Sequence, residues 1–165
     1  MSAAWEQVKD TIRGIGARSY GTRIGDAVPR NLPEFVVEAA EAACSYYEDL
    51  FNGGLPFAGA AGPCSPATPG GGVAVAGAPL TLAEVTGSRP LDGRWQAKTI
   101  NVSRELGGRL DATVSGVLAR SYDTRVAHLV PDTRTALCRE AVEASCTYYQ
   151  DLLNDGEPFP PGRRA

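Results

Sequence analysis

One histidine, one methionine and two tryptophans among 165 residues leave little material for several common kinds of site. With His128 as the sole imidazole, a zinc site of ordinary His/Cys composition lacks ligands, and the four cysteines (Cys44, Cys64, Cys138, Cys146) show no C-x-x-C spacing. They read as reduced thiols, with Cys44 and Cys146 on apolar helix faces. There is no Gly-rich phosphate loop, no H-E-x-x-H and no nucleophile elbow, so the chain does not read as an enzyme and no cofactor is expected. No apolar run approaches the ~20 residues that span a bilayer, and the first nine residues lack the apolar centre of an export signal. The expectation is a cytoplasmic protein without membrane association. A net charge of −3 is too small to name a partner by itself.

What the sequence has is a second copy of itself. Sliding it by 102 positions aligns residues 17–57 with residues 119–159 without a gap, and 21 of the 41 pairs are identical. The repeated signature is Ala-Arg-Ser-Tyr-x-Thr-Arg, then Val-Pro, then Glu-Ala-x-Glu-Ala-x-Cys-x-Tyr-Tyr-x-Asp-Leu. Weaker similarity continues upstream, with Thr11 and Gly14 matching Thr113 and Gly116. A unit of roughly 55 residues buries only a marginal core, so two copies in one chain read as a covalently linked pseudo-dimer. The expected organisation is a first helix-pair repeat at 1–57, a linker at 58–93, a strand-helix-helix repeat at 94–159 and a tail at 160–165. Of residues 58–79, 17 of 22 are Gly, Ala or Pro, the composition of a linker.

Apolar spacing predicts a helix over 2–19, with Val8, Ile12 and Ile15 on one face and Ser2 as a candidate N-cap. A second helix is predicted from about Asn31, with Pro33 in its first turn and an Asn52-Gly53-Gly54 stop. Its stripe runs through Phe35, Ala39, Ala43, Tyr47 and Phe51. The second unit predicts a helix from about Arg104 and another over 133–154, with Asp132 as N-cap. Of the paired tyrosines, Tyr47 and Tyr149 fall on the apolar stripes and read as core. The repeated Arg-Ser-Tyr-x-Thr-Arg reads as a brace for each helix-helix connection, with a phosphate or partner contact as its functional alternative.

Residues 98–103 alternate: Lys98, Ile100 and Val102 fall on one side of an extended segment and Thr99, Asn101 and Ser103 on the other. That predicts a short strand, and the fold class expected is α+β, mostly α, with two repeated helix pairs and one strand. Strand, helix, connection and helix over 96–154, with KTINVSREL and the Leu106-x-x-x-Leu110 pattern, resemble the ribbon-helix-helix family of DNA-binding proteins. The resemblance implies two strands paired antiparallel in the major groove, with Thr99, Asn101 and Ser103 as base readers. It also implies a phosphate held by backbone amides at the start of the last helix, near Thr133 and Arg134, while Lys98 and Arg104 are candidate phosphate contacts by their charge. Independently of the family, Asn pairs bidentately with adenine, and Lys98, Arg104 and Arg109 put positive charge around the segment. The other reading is a half-buried strand whose polar side faces water. The ribbon's partner is either residues 73–75 or 80–82 of the same chain, or the same segment of a second chain in a homodimer.

Residues 1–57 carry 5 basic and 8 acidic residues, and residues 94–165 carry 10 and 9, so the strand-bearing copy is the less acidic. The functional expectation is a double-stranded DNA-binding transcriptional or plasmid-type regulator. The alternative is a helical protein-protein interaction module, such as an antitoxin neutralising a partner toxin. The two differ in one feature: a reader needs Thr99 and Asn101 on a paired ribbon, whereas a partner-binding module leaves an apolar helical groove uncovered.

Overall fold

The computed structural model describes residues 3–57, 79–91, 93–95 and 98–162. These form five helices: α1 (Ala3–Ser19), α2 (Leu32–Asn52), α3 (Leu82–Thr86), α4 (Arg104–Ser121) and α5 (Arg134–Leu153). Local chemistry sets their ends. Asn31 Oδ1 accepts the Glu34 amide at 2.9 Å to open α2, and Gly53, at φ 62°, closes it in the left-handed conformation. Its repeat equivalent, Thr133, accepts the Ala136 amide at 3.0 Å to open α5. The cap predicted at Asp132 therefore lies one residue later, at the position that matches Asn31.

The units are not two bundles side by side. The helices α2 and α5 pack against each other at the centre, α1 packs chiefly on α5, and α4 chiefly on α2. Each unit's first helix thus lies on the other unit's second. Side-chain contacts repeat with the units exchanged, as a twofold relation requires. The Phe159 ring fills the space beside Gly14, and the Phe57 ring fills the space beside Gly116. Arg18 lies 5.7 Å from the Phe159 ring centre and Arg120 5.1 Å from that of Phe57. The Tyr47 hydroxyl donates to Glu140 and the Tyr149 hydroxyl to Glu38. Cys146 faces Thr11, and Cys44 faces Thr113. The connections repeat too: Thr22 and Thr124 each donate a hydroxyl to the carbonyl three residues back, on Ser19 and Ser121, at 2.6 Å.

The expected α+β class is overturned, because the described residues contain five helices and no strand. Residues 98–103 are extended without being a strand. Ile100 and Val102 are half-buried against the helices while Thr99, Asn101 and Ser103 are exposed, so the alternation in the sequence is real. A strand also needs a ladder partner for its backbone, and none lies beside this segment among the described residues. Of the proposed intrachain partners, residues 80–82 turn instead into the capped start of α3, and residues 73–75 lie outside the described residues.

Candidate functional site

The residues expected to read and hold DNA differ in how far other groups already engage them. Thr99 and Asn101 are exposed beside Lys98 and Arg104, as a contact role would need. Ser103 and Thr133 are helix caps, their hydroxyls accepting the Leu106 amide at 3.1 Å and the Ala136 amide at 3.0 Å. Arg134 is committed to Asp111 by two bonds, which raise the guanidinium pKa and lower that of the carboxyl. At the start of α5 the Ala136 amide is thus taken by the Thr133 hydroxyl, and among the described residues no strand pairs with residues 98–103. Among the described residues no cluster of His, Cys, Asp and Glu is arranged to hold a metal ion, and no helix is long and apolar enough to cross a membrane.

A different site emerges where residues 79–91 cross the helices. Thr81 caps α3, accepting the Glu84 amide at 3.2 Å while Glu84 returns a bond to the Thr81 amide, a reciprocal box that fixes the short helix. This strap lies against α5 and α2. The Tyr46 hydroxyl donates to the Leu80 carbonyl at 2.5 Å, and the Leu82 amide donates to the Tyr47 hydroxyl at 3.2 Å. Burial pushes the Tyr47 and Glu140 pKa values up, so at neutral pH the phenol is a neutral donor. Arg125 grips Glu84 with both terminal nitrogens, and this lowers the Glu84 pKa to about 2. Arg89 pins the far end, its amide donating to Thr147 Oγ1 at 3.0 Å and its guanidinium to Gln150 at 2.9 Å.

Twofold exchange places an equivalent groove on the opposite side, between α2 and the end of α5, and none of the described residues occupies it as the strap does its counterpart. Exposure locates it. Ala144 and Thr147 are 5% and 1% exposed under the strap, whereas their equivalents Ala42 and Ser45 are open to solvent. Tyr46 is half-buried beneath Leu80, whereas Tyr148 is 57% exposed; Leu50 is half-buried, whereas Leu152 is 51% exposed. Arg125 has Glu84, and its equivalent Arg23 has no ion pair among the described residues. One end is taken: Arg109 donates to Ser45 Oγ at 3.0 Å and to Glu48, roughly where Arg89 sits on the strapped side.

A cleft of about 440 Å³ opens between the helices and the segment that carries Trp95, Lys98, Ile100 and Val102. Its walls include both tryptophans of the chain, Trp5 and Trp95, whose rings meet edge to face at 5.0 Å. Lys98, Arg134 and Arg139 also line it.

The sequence reading missed both places. The groove had a signal in Thr81-x-x-Glu84, a capping-box pattern inside the supposed linker, together with the fact that one linker cannot cover two equivalent faces. For the cleft the only hint was the pair of tryptophans. Compared with known protein families, curated proteins and solved structures, the chain matches none of them.

Proposed function

We propose that this protein is a protein-protein interaction module that captures a short partner segment in the open groove bounded by Ala42, Tyr148 and Leu152. The observation that carries the reading is the chain's own strap. The same kind of groove, one twofold exchange away, already holds a peptide through two tyrosines and an Arg-Glu pair. A fitting segment resembles residues 80–86: apolar residues around a Thr cap, a free backbone amide for the Tyr149 hydroxyl, and a carboxylate for Arg23. This is binding rather than catalysis. The free thiols Cys44, Cys138 and Cys146 suit a reducing compartment such as the cytoplasm.

The test is anisotropy of a labelled peptide of residues 79–90 titrated with the intact protein. A dissociation constant on the order of 100 µM is expected for so small a contact. Arg23→Glu or Tyr148→Glu should abolish binding, whereas Arg125→Glu should not. No binding at millimolar peptide, or loss with Arg125→Glu alone, would refute the reading.

Double-stranded DNA is the second reading, favoured by the exposure of Thr99 and Asn101 beside Lys98 and Arg104. It requires a mode of contact without a ribbon. Salt-sensitive binding to a duplex that loses its sequence preference in Asn101→Ala would support it.

A further inference from the structure

We infer that the cleft lined by Trp95, Lys98, Ile100 and Val102 is a binding site for a small amphiphile with a single anionic head, in the simplest case a medium-chain carboxylate. Four observations converge on it. The space, about 440 Å³, is of the size that accepts small molecules. Its walls are apolar, with Trp5, Trp95, Ile100 and Val102 facing Leu110 and Val142. Among the described residues no carboxylate lines it, yet three cations do, an imbalance that a buried apolar body with an anionic head would correct. Arg134 is neutralised by Asp111, but Lys98 and Arg139 have no ion pair among the described residues.

The two unpaired cations are also held in place. The Lys98 ammonium lies 5.9 Å from the Trp5 ring centre, and the Arg139 guanidinium lies 5.4 Å from that of Trp95. Each indole therefore carries a cation, and the two indoles touch. An apolar chain packed against this pair would place its head within reach of both charges. Of the neighbouring polar groups, Glu143, which is not among the lining residues, accepts the Trp95 N–H at 3.3 Å, and burial raises the Cys138 pKa, leaving it a neutral thiol in the wall. The site shares no lining residue with the open groove, so it stands independently of the function proposed above.

Both tryptophans of the chain line the cleft, so tryptophan emission, excited selectively over the tyrosines, reports this place alone. The experiment titrates the full chain with decanoate, decanol and decyltrimethylammonium below their micellar concentrations, at matched pH. Decanoate should shift the emission saturably and bind about tenfold more tightly than decanol, with the cationic amphiphile weakest. The variant Lys98→Glu/Arg139→Glu changes two exposed side chains, and circular dichroism would check that its helices are intact. It should lose the preference for decanoate and favour decyltrimethylammonium. Equal affinity for decanoate and decanol, or an unchanged preference in the variant, would overturn the proposal. So would a dimer, seen by sedimentation, in which decanoate neither alters the emission nor dissociates the subunits, because the cleft would then belong to a second copy of this chain.

Discussion

Replacing Gly116 with alanine tests the crossing of the two units directly, because the expected sign of the effect depends on a ring from the other unit. In an unencumbered helix interior, Gly→Ala stabilises by about 1 kcal/mol through backbone entropy. Here the added Cβ would lie 2.1 Å from Cδ1 of Phe57, where ordinary contact begins near 3.4 Å. The ring has to withdraw by more than an ångström from a site where it is 6% exposed and covered by Arg120. Overpacking of this kind costs about 1–3 kcal/mol, occasionally more. Offset by the helix gain, Gly116→Ala should destabilise by up to about 2 kcal/mol. With Phe57→Ala already made, the obstruction is gone and the same substitution should stabilise by about 1 kcal/mol, a coupling of about 1–3 kcal/mol. Urea denaturation followed by circular dichroism measures all four corners of the cycle, with an unchanged m-value as the check that only stability moved. The cycle for Gly14 and Phe159 should carry the same sign. A higher urea midpoint for Gly116→Ala in the otherwise unaltered protein would show that Phe57 does not occupy that position.

Tyr47→Phe should lower stability by about 2 kcal/mol, since it strips partners from the Leu82 amide and from a carboxyl that burial already disfavours as an anion, while Tyr149→Phe, which loses only the Glu38 bond, should cost about 1 kcal/mol in the same melts. The Glu84 pKa, about 2 against an ordinary 4.5, is depressed, so its contribution is complete above the ordinary value and disappears as pH falls through the lower one. Amide protection factors over residues 80–87, taken against the intrinsic exchange rate at each pH, should accordingly fall between pH 5 and pH 2, and Glu84→Gln should remove that pH dependence. Burial pushes the Cys146 thiol up to about 12 and also raises Cys44, so mass-mapped alkylation of these two should await unfolding; rapid labelling under native conditions would contradict the packing of α5.

The helix pairs were legible because their signals are local: a 3.6-residue stripe, an Asn31 or Thr133 cap, a Gly53 stop. The way the units cross was not legible, for a reason built into the duplication. Gly14 and Gly116 offer the same notch, and Phe57 and Phe159 offer the same ring, so the sequence matches each ring equally well to either notch; only the path of the whole chain decides. Residues 98–103 failed differently. A period of two reports which side chains face inward, and Ile100 and Val102 do so, but it carries no information about a hydrogen-bond partner, which is what makes an extended segment a strand. At Arg134 the reading stopped at the helix end and overlooked Asp111 across the bundle, 23 positions earlier, as the nearest anion.

Two identical subunits would have had to treat their grooves alike, both strapped or both bare. Fusing the copies frees them from that obligation, since the connecting segment occurs once and can cross only one of two matching faces. On the function proposed above, the described residues leave one such groove open, so a partner segment would form a closed pair with the chain and would not bridge chain to chain. On this view the duplication matters less for the core it completes than for the equivalence it breaks, turning a symmetric assembly into one that counts its partners.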